Sequence, residues 1–282
     1  MGVLPALVAA PAHWRFVPGF LRAGYALLAK RAFGLARKPI VKDVPGLGAM
    51  KLEPWDLIDS RIFFFDVWEP AVSKFMREAI EPGMVVADIG ANIGYYTLLM
   101  SRAVGPEGHV FAIEPSPEIR ARLQDALTRN GIANVTVVPV GISDRAERRT
   151  FVLSGANLGA SHFGEVSEGE EGIELRRLAD VIPAELLPRL GFIKIDVEGM
   201  EAPVMRDIAA MLPDLPQRLT LCAELRMDDE LRGIVQAFQH AGMECLLLPN
   251  HYSMFAYPAH PLDAEKADRP GDGQLDVALI RR

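Results

Sequence analysis

The chain is 282 residues long, which suits one large core with an extension. Half of its residues are hydrophobic and 24% are charged, and this composition excludes an intrinsically disordered chain. The net charge is −7, but residues 1–42 contain seven Lys or Arg and no acid, so residues 43–282 are strongly acidic. An acidic body argues against a general nucleic-acid-binding protein.

The basic leader comes first along the chain. Residues 16–38 contain aromatic side chains and follow a roughly helical period. One interpretation is a helix that lies peripherally on an anionic membrane, and the other is a helix packed against the body with solvated bases. We prefer the packed helix and keep the membrane contact as a testable alternative.

The leader does not have the pattern of a signal peptide, because no base precedes its apolar start and Pro5 and Pro11 interrupt it. No apolar run has the length that a membrane-spanning helix needs. The two cysteines, Cys222 and Cys245, lie in apolar runs typical of reduced core residues. We therefore expect a cytoplasmic protein, with the inner membrane face as its alternative location.

An aromatic-rich connector follows the leader, and the sequence predicts a helix over residues 71–80 that ends at Glu81-Pro82-Gly83. We expect this connector to cover a sheet edge or to form one wall of a substrate cleft. Residues 1–82 are accordingly interpreted as a helical extension, and residues 83–282 as the functional domain.

From Gly83 onward, strands and helices alternate, which is the signature of an α/β fold with a mostly parallel, doubly wound sheet. Strands are predicted at 85–89, 109–114, 134–140, 192–196, 219–224, 244–248 and 275–280, and helices at 95–104, 117–130, 199–212 and 228–241.

Residues 150–176 interrupt this alternation. Segments 150–153 and 173–176 are predicted to pair as a hairpin around a glycine-rich, acidic loop at 154–172. A loop of this length inside a compact domain is usually functional, so we expect a lid or a mobile tip.

The turn after the first predicted strand of the domain indicates the ligand. Asp88 ends the strand, Gly90 and Gly94 flank Asn92, and a helix begins at Tyr95. Such a turn brings backbone close to a nucleotide-like ligand. A pyrophosphate there would face the Asp88 carboxylate, and the two anions would repel each other. A sulfonium and ribose hydroxyls are compatible with that acid, which favours S-adenosyl-L-methionine over NAD.

The remaining strand ends also carry polar residues. Glu114, twenty residues beyond Gly94, is placed to accept both ribose hydroxyls, although NAD would use such an acid equally well. Asp144 is placed to accept an adenine amino group. Asp196 and Glu224 follow the next two strands in the chain. Any one of these acids has an alternative role as a helix cap, but their occurrence after successive strands indicates a ligand site.

The segment Lys194-Ile-Asp196 is the predicted reacting centre. Asp196 is our candidate for the base that takes a proton from an acceptor hydroxyl, with Lys194 as its neighbour. Alternatively, Asp196 and Glu224 hold a divalent cation, but two carboxylates are a weak metal signal and we prefer the metal-free version. His162 and His251 are lower-ranked candidate bases. The structural alternative is that Lys194 and Asp196 only neutralise each other's charge.

These motifs resemble the FkbM-type S-adenosylmethionine-dependent methyltransferases. The resemblance is carried by Asp88-Ile-Gly-Ala-Asn-Ile-Gly-Tyr-Tyr-Thr97, Ile113-Glu-Pro115, Asn130-Gly131, Gly141-Ile-Ser-Asp144 and Ile193-Lys-Ile-Asp-Val-Glu-Gly-Met-Glu201. It implies a class I, Rossmann-like fold with seven strands, the last one antiparallel, and helices on both faces. The expected cofactor site consists of Asp88, Gly90, Ala91, Asn92, Gly94, Thr97, Glu114, Pro115, Ser143, Asp144 and Asp196.

The resemblance also implies an O-methyltransferase whose acceptor is a secondary metabolite or a sugar of a glycan or glycolipid. A membrane-bound leader would favour a lipid-linked sugar. The family usually has a Leu-Asp pair before the fourth strand, whereas this chain reads Leu175-Arg-Arg-Leu-Ala-Asp180. Two other functions stay open at this point, namely an NAD-dependent oxidoreductase and a non-catalytic nucleotide-binding scaffold.

Overall fold

In the computed structural model, residues 19–152, 162–164, 172–250, 263–268 and 270–282 are described. The first described elements are helix α1 (Gly19–Ala36), strands β1 (Ile40–Val44) and β2 (Gly48–Leu52), and helices α2 (Leu57–Phe65) and α3 (Pro70–Ala79). The prediction that this extension is helical is therefore wrong for β1 and β2, which pair antiparallel. The reversal between them includes Gly46 and Gly48, both with positive φ.

The predicted helices of the main domain are confirmed, with bounds that differ by at most two residues at either end. They are α4 (Tyr95–Val104), α5 (Pro117–Arg129), α6 (Glu201–Met211) and α7 (Asp229–His240). Side chains fix two of the starts, since Ser116 accepts the Ile119 N–H and Asp228 accepts the Leu231 N–H.

The central sheet contains β3 (Val85–Ile89), β4 (His109–Ile113), β5 (Val135–Val138), β10 (Leu190–Ile195), β11 (Leu219–Met227), β12 (Glu244–Leu247), β13 (Glu265–Lys266) and β14 (Gly273–Arg281). Their order across the sheet is β13-β12-β14-β11-β10-β3-β4-β5. The five neighbouring strands β5, β4, β3, β10 and β11 are parallel. Strand β14 runs antiparallel to both β11 and β12. The expected seven-stranded sheet is thus confirmed, and the two-residue strand β13 extends its edge.

The expected position of the ligand crevice follows from the point where the order of strands in the sheet reverses. The chain proceeds from β3 to β4 and β5 on one side, and later returns to place β10 on the other side of β3. In open α/β sheets, the gap beyond the carboxyl ends of the strands at such a switch point receives the ligand. Asp88, near the end of β3, and Asp196, directly after β10, lie on the two strands that border this gap.

A smaller sheet contains β6 (Gly141–Ile142), β7 (Glu147–Val152), β8 (His162–Gly164) and β9 (Ile173–Arg176). The predicted hairpin of 150–153 with 173–176 is wrong in its register. Residues 147–149 pair with β9, whereas residues 150–152 pair with β8, because the loop contains a strand that its glycine-rich composition concealed. Most of the predicted lid at 154–172 lies outside the described residues.

Hydrophobic packing covers both faces of the sheet. Helices α6 and α7 contribute Val204, Ile208, Leu231 and Phe238 to a core on one face. On the other face, α4 and α5 share a core with the N-terminal segment, which contributes Ala26 and Phe63-Phe64 among others. Residues 19–82 therefore contribute to the same core as α4 and α5. None of the helices among the described residues has the length and apolarity to cross a membrane.

Candidate active site

The turn after β3 is held in one tight conformation. The Gly90 and Ala91 N–H groups both donate to the Ile113 carbonyl over 3.0 Å, which ties the turn to β4. Gly90 has φ +82°, and a Cβ on it would lie 1.8 Å from the Asp196 carbonyl oxygen. Gly94 has φ +90°, and a Cβ there would meet Leu123 at 2.6 Å. Both glycines are thus required by close approach, as the sequence pattern predicted.

Two buried acceptor atoms at this turn have no hydrogen-bond donor in the described residues. Asp88 is fully buried and accepts the Thr97 hydroxyl at Oδ2 over 2.6 Å, but its Oδ1 has no partner within the described part of the chain. The side-chain oxygen of Asn92 is also buried without a partner there, and its residue has φ +48°. Buried acceptors normally have donors, so these atoms fit a ligand rich in N–H and O–H groups. Burial also raises the pKa of Asp88.

Glu114 is fixed beside the same turn. Its two carboxylate oxygens accept the Asn92 N–H and the Ser116 N–H, each over 2.9 Å, and the side chain is buried. Burial raises its pKa to about 7 in spite of those two hydrogen bonds. A carboxylate oxygen has a second lone pair, so Glu114 remains able to accept ribose hydroxyls. Its neighbour Pro115 uses its carbonyl to accept from Arg120.

Asp144, the predicted contact of the adenine amino group, already forms an ion pair within the protein. Asp144 Oδ2 accepts from Arg206 Nε of α6 over 2.8 Å, and Arg206 also pairs with Glu230. Ser143 is buried, and its N–H donates to the Arg176 carbonyl. An adenine contact of Asp144 therefore stays a prediction, and it requires Arg206 to share or release this carboxylate.

Alternation along the strands brings the reacting groups to one face of the sheet. Asp88 and Lys194 are register partners on β3 and β10, and Glu224 and Asp276 are register partners on β11 and β14. Facing residues on neighbouring strands project to the same side. Glu224 was expected at a strand end, but β11 continues to Met227 because β14 pairs along its whole length.

Lys194 and Asp196 form the predicted pair. The Lys194 Nζ lies 2.9 Å from Asp196 Oδ2, and the lysine is 3% exposed, whereas the Asp196 side chain is 30% exposed. Burial opposes the charge on Lys194, but Asp196, Asp88 and Glu69 together raise its pKa. Lys194 is therefore a permanent buried cation, and Asp196 presents its more open side to solvent.

Glu224 shares this environment. Burial, then the charges of Asp196 and Glu69, raise its pKa to about 9, and it forms a hydrogen bond with Asp196. Gln274 Nε2 donates to Glu224 Oε1. Two carboxyl groups in one hydrogen bond must hold a proton between them. A cleft beside this pair is lined by Asp196, Val197, Glu198, Glu201, Glu224, Arg226 and Gln274, and it is our candidate acceptor cleft.

Sequence reasoning missed two acids of this centre. Glu69, which precedes α3, and Asp276 on β14 each place a carboxylate oxygen within 4.8 Å of Glu224 and of each other. Oxygen ligands at this spacing suit a hard divalent cation as well as protons. Glu69 lies in the connector that we expected to form a cleft wall, and that expectation was the only signal available for it.

The candidate histidines are not tested by this geometry. His162 lies in β8, where its backbone pairs with Val152. His251 lies outside the described residues. Both cysteines are buried and free among the described residues, as expected for core positions.

Comparisons with known proteins identify the family of this chain. The profile of the methyltransferase FkbM domain matches residues 88–239, which is more than half of the chain. The hexuronic acid methyltransferase AglP of Haloferax volcanii is 28% identical over 187 residues, covering 64% of this chain and 72% of that protein. The 31-O-demethyl-FK506 methyltransferase FkbM of Streptomyces tacrolimicus is 28% identical over 196 residues, covering 58% and 74%.

A shorter match is restricted to part of the sequence. A protein-L-isoaspartate O-methyltransferase of Ignicoccus hospitalis is 41% identical over 71 residues, covering 24% of this chain. The shared stretch spans only about a third of that relative's length (34%).

Proposed function

This chain belongs to the FkbM methyltransferase family, and from that premise we propose that it transfers a methyl group from S-adenosyl-L-methionine to a hydroxyl oxygen of a small acceptor. The observation that carries the proposal is the turn after β3, where Asp88 Oδ1 and Asn92 Oδ1 are buried acceptors without a partner in the described residues and the fixed Glu114 stands beside them. This group of acceptor atoms suits ribose hydroxyls, an ammonium and a sulfonium.

In this proposal, each residue of the turn has a separate task. Glu114 accepts the ribose hydroxyls, and Asn92 and the backbone around Gly90 and Gly94 line the nucleoside. Asp88 supplies negative charge at the end of β3, and Thr97 fixes its orientation. When bound, S-adenosylmethionine supplies an electrophilic methyl group on a positively charged sulfur.

Asp196 is the proposed proton acceptor. Methyl transfer to oxygen needs the two reacting atoms held in line and a group that takes the hydroxyl proton. Asp196 borders the candidate acceptor cleft and is partly exposed, whereas Lys194 holds its other side. Glu224 holds a further proton, which lies in its hydrogen bond with Asp196. We keep the metal-free form of the proposal, because Lys194 already supplies a buried cation at this carboxylate.

The acceptor that we propose is a sugar hydroxyl of a glycan or glycolipid, or a hydroxyl of a secondary metabolite. This choice rests on family membership and on the names of two relatives, a hexuronic acid methyltransferase and a 31-O-demethyl-FK506 methyltransferase. No comparison supports the oxidoreductase alternative, and the polar residues whose loss would mark a non-catalytic scaffold are all present.

Calorimetric titration with S-adenosylhomocysteine, with NAD as the comparison ligand, tests the cofactor. Wild-type protein should bind S-adenosylhomocysteine and not NAD. Glu114→Ala should weaken that binding at least tenfold, because hydrogen bonds to a charged group are worth about 1.5–3 kcal/mol each. Glu118→Ala, an exposed acid four residues away, is the matched control and should leave affinity unchanged. Binding of NAD alone, or of neither ligand, would reject the proposal.

A peripheral membrane contact through α1 is a second proposal. The structure packs the inner face of α1 on the body, where Lys30 Nζ donates to the Asp56 carbonyl over 3.0 Å. The outer face presents Leu21, Leu28 and Leu35, each seven residues apart and 52–88% exposed. All large hydrophobic side chains that are exposed among the described residues lie between Leu21 and Val41. Bases and no acids accompany them, which suits an anionic lipid surface.

Co-sedimentation of the full chain with vesicles tests this contact. Phosphatidylglycerol-containing vesicles should bind the protein, and pure phosphatidylcholine vesicles should bind it more weakly. Changing Leu21, Leu28 and Leu35 together to Ser should remove binding without lowering the melting temperature, because these side chains are exposed. Equal recovery of the wild type and the triple variant with anionic vesicles would reject the membrane contact.

A further inference from the structure

Glu69 has an unusual backbone conformation, and its side chain does not cap the helix that it precedes. It directly precedes α3, but its side chain makes no capping hydrogen bond to the helix. Its φ of +42° is a conformation that residues other than glycine seldom adopt, and its side chain is buried. Such strain in a buried acid is typical of functional sites, since the surrounding structure must maintain it.

The carboxylate of Glu69 is directed to the reacting centre instead. The Tyr96 hydroxyl donates to Glu69 Oε2 over 2.6 Å. The ring of Tyr96 in turn lies against Lys194, with 4.6 Å between its centroid and Nζ. Lys194 then contacts Asp196 Oδ2 over 2.9 Å. Glu69 is therefore two side chains away from the proposed proton acceptor.

We propose that Glu69 is a positioning residue of the methyl-transfer centre: through Tyr96 it fixes the Lys194–Asp196 pair, and in its ionised form it adds to the negative potential that a sulfonium meets beside the pair. This inference rests on the proposed function. It concerns a residue outside the segment 88–239 that the family profile matches. Hydrogen-bond donation by the Tyr96 hydroxyl to Glu69 also polarises the ring toward negative charge, which strengthens its attraction for the ammonium.

The groups that face Glu69 decide when it carries charge. They come from α4, β10, the turn after β10, β11 and β14, and they are Tyr96, Lys194, Asp196, Glu224 and Asp276. Burial, then Asp276 and Asp196, raise the pKa of Glu69 to about 8, against the opposing effects of Lys194 and Tyr96. Glu69 is thus mainly neutral at pH 7 and becomes an anion above pH 8.

The affinity ratio of S-adenosylmethionine to S-adenosylhomocysteine measures this charge without any acceptor. The two ligands differ in the methyl group and the sulfonium charge, so contributions from ribose and adenine cancel in the ratio. Titration of the ligands' own ammonium groups is the same for wild type and Glu69→Gln, so it cancels when the two proteins are compared. Calorimetry between pH 6.5 and 9 should show a wild-type ratio that rises about three- to tenfold, the size expected for one unit charge in a partly buried site. Glu69→Gln, which keeps an oxygen acceptor for Tyr96, should lose the part of the rise centred near pH 8.

Tyr96→Phe separates positioning from simple packing. Removing the hydroxyl takes a stabilising hydrogen bond from ionised Glu69, so the midpoint of the rise should move to higher pH. Asp207→Asn is the control, because Asp207 is a buried acid that accepts the Leu178 N–H on the other face of the sheet. It should leave the ratio as in the wild type.

Two results would overturn the inference while leaving the proposed function intact. One is a Glu69→Gln ratio that follows the wild type across the whole pH range. The other is an equal weakening of both ligands at every pH, which indicates a structural role only. Failure of the wild type to bind either ligand would instead remove the proposed function, and this inference with it.

Discussion

Burial decides the charge of individual residues in this centre. Asp88, Glu114, Glu69 and Glu224 are carboxyl groups whose pKa values burial raises, whereas Lys194 stays charged because acids surround it. Asp88 and Glu114 were predictable from the sequence, since Asp88 lies near the end of a strand and Glu114 directly follows one, both beside a glycine turn. Glu69 and Asp276 were not, because they are far from the motif in sequence and reach it only through the packing of α3 and the pairing of β14.

Replacing Gly90 with alanine tests whether the turn tolerates one added methyl group. Gly83 and Gly90 have the same φ within one degree, but a Cβ on Gly83 meets nothing within 4 Å. Gly83→Ala should cost about 1–2 kcal/mol of unfolding free energy from backbone strain alone. Gly90→Ala should cost considerably more and abolish S-adenosylhomocysteine binding, because its methyl group would overlap the Asp196 carbonyl. Urea unfolding and calorimetry measure both effects, and equal losses for the two variants would contradict this account.

At the scale of elements, the sequence predicted the main sheet, its helices, β9 and part of β7, but not β6, β8 or the β1–β2 hairpin. Periodicity identifies strands that are buried on both faces, such as β3, and helices with clear caps, such as α5. It does not identify short strands like β8, whose three residues pair only because the chain returns beside β7. Likewise, β1 and β2 alternate weakly, and their stability depends on contacts with α2 and α5.

Asn130 connects the hairpin to the domain, and its removal tests how these elements cooperate. Its Oδ1 accepts the Ala49 N–H, and its Nδ2 donates to the carbonyls of Ala49 and Ala126, each over 2.8 Å. Asn130→Ala should cost about 2–4 kcal/mol, since three hydrogen bonds are lost and the Ala49 backbone is left unpaired.

The loss should be local at first. Hydrogen exchange at β1 and β2 should accelerate more than exchange at β3 or β10, because those central strands keep their own partners. Thr128→Ala, which removes an exposed hydroxyl from the same helix end, is the control and should change neither stability nor exchange by a measurable amount. Uniform exchange in the Asn130 variant would show that the hairpin does not unfold separately.

At the scale of the whole molecule, the candidate active site is formed by distant parts of the chain on one face of the sheet. The connector supplies Glu69, β3 supplies Asp88, and the last strand supplies Asp276. Asp88, Asp196 and Glu69 act on the Lys194 ammonium, and Glu224 and Asp276 lie beside Glu69. Such an excess of buried acids stores protons in the folded protein, and it should therefore weaken the fold when those protons leave.

The resulting prediction concerns stability between pH 5 and pH 9. The folded-state pKa is about 7 for Asp59 and Glu114, about 8 for Glu69 and about 9 for Glu224, whereas the ordinary values are 3.8 for Asp and 4.5 for Glu. In this range the folded state binds more protons than the unfolded state, so the unfolding free energy must fall as pH rises. The stabilising contribution is complete below about pH 4.5 and is lost as each folded-state pKa is passed.

Urea unfolding at intervals of one pH unit should show a decline of at least about 2 kcal/mol from pH 5 to pH 9, because one pKa unit corresponds to about 1.4 kcal/mol. Glu69→Gln and Glu224→Gln should each flatten the decline, since the amide has no proton to lose, whereas the exposed Glu118→Gln should follow the wild type. Unfolding free energy that is constant or rises over this range would mean that the site acids are ionised in the folded protein. A bound cation would then have to balance the negative charge of the ionised carboxyl groups, and the metal-free form of the mechanism would be wrong.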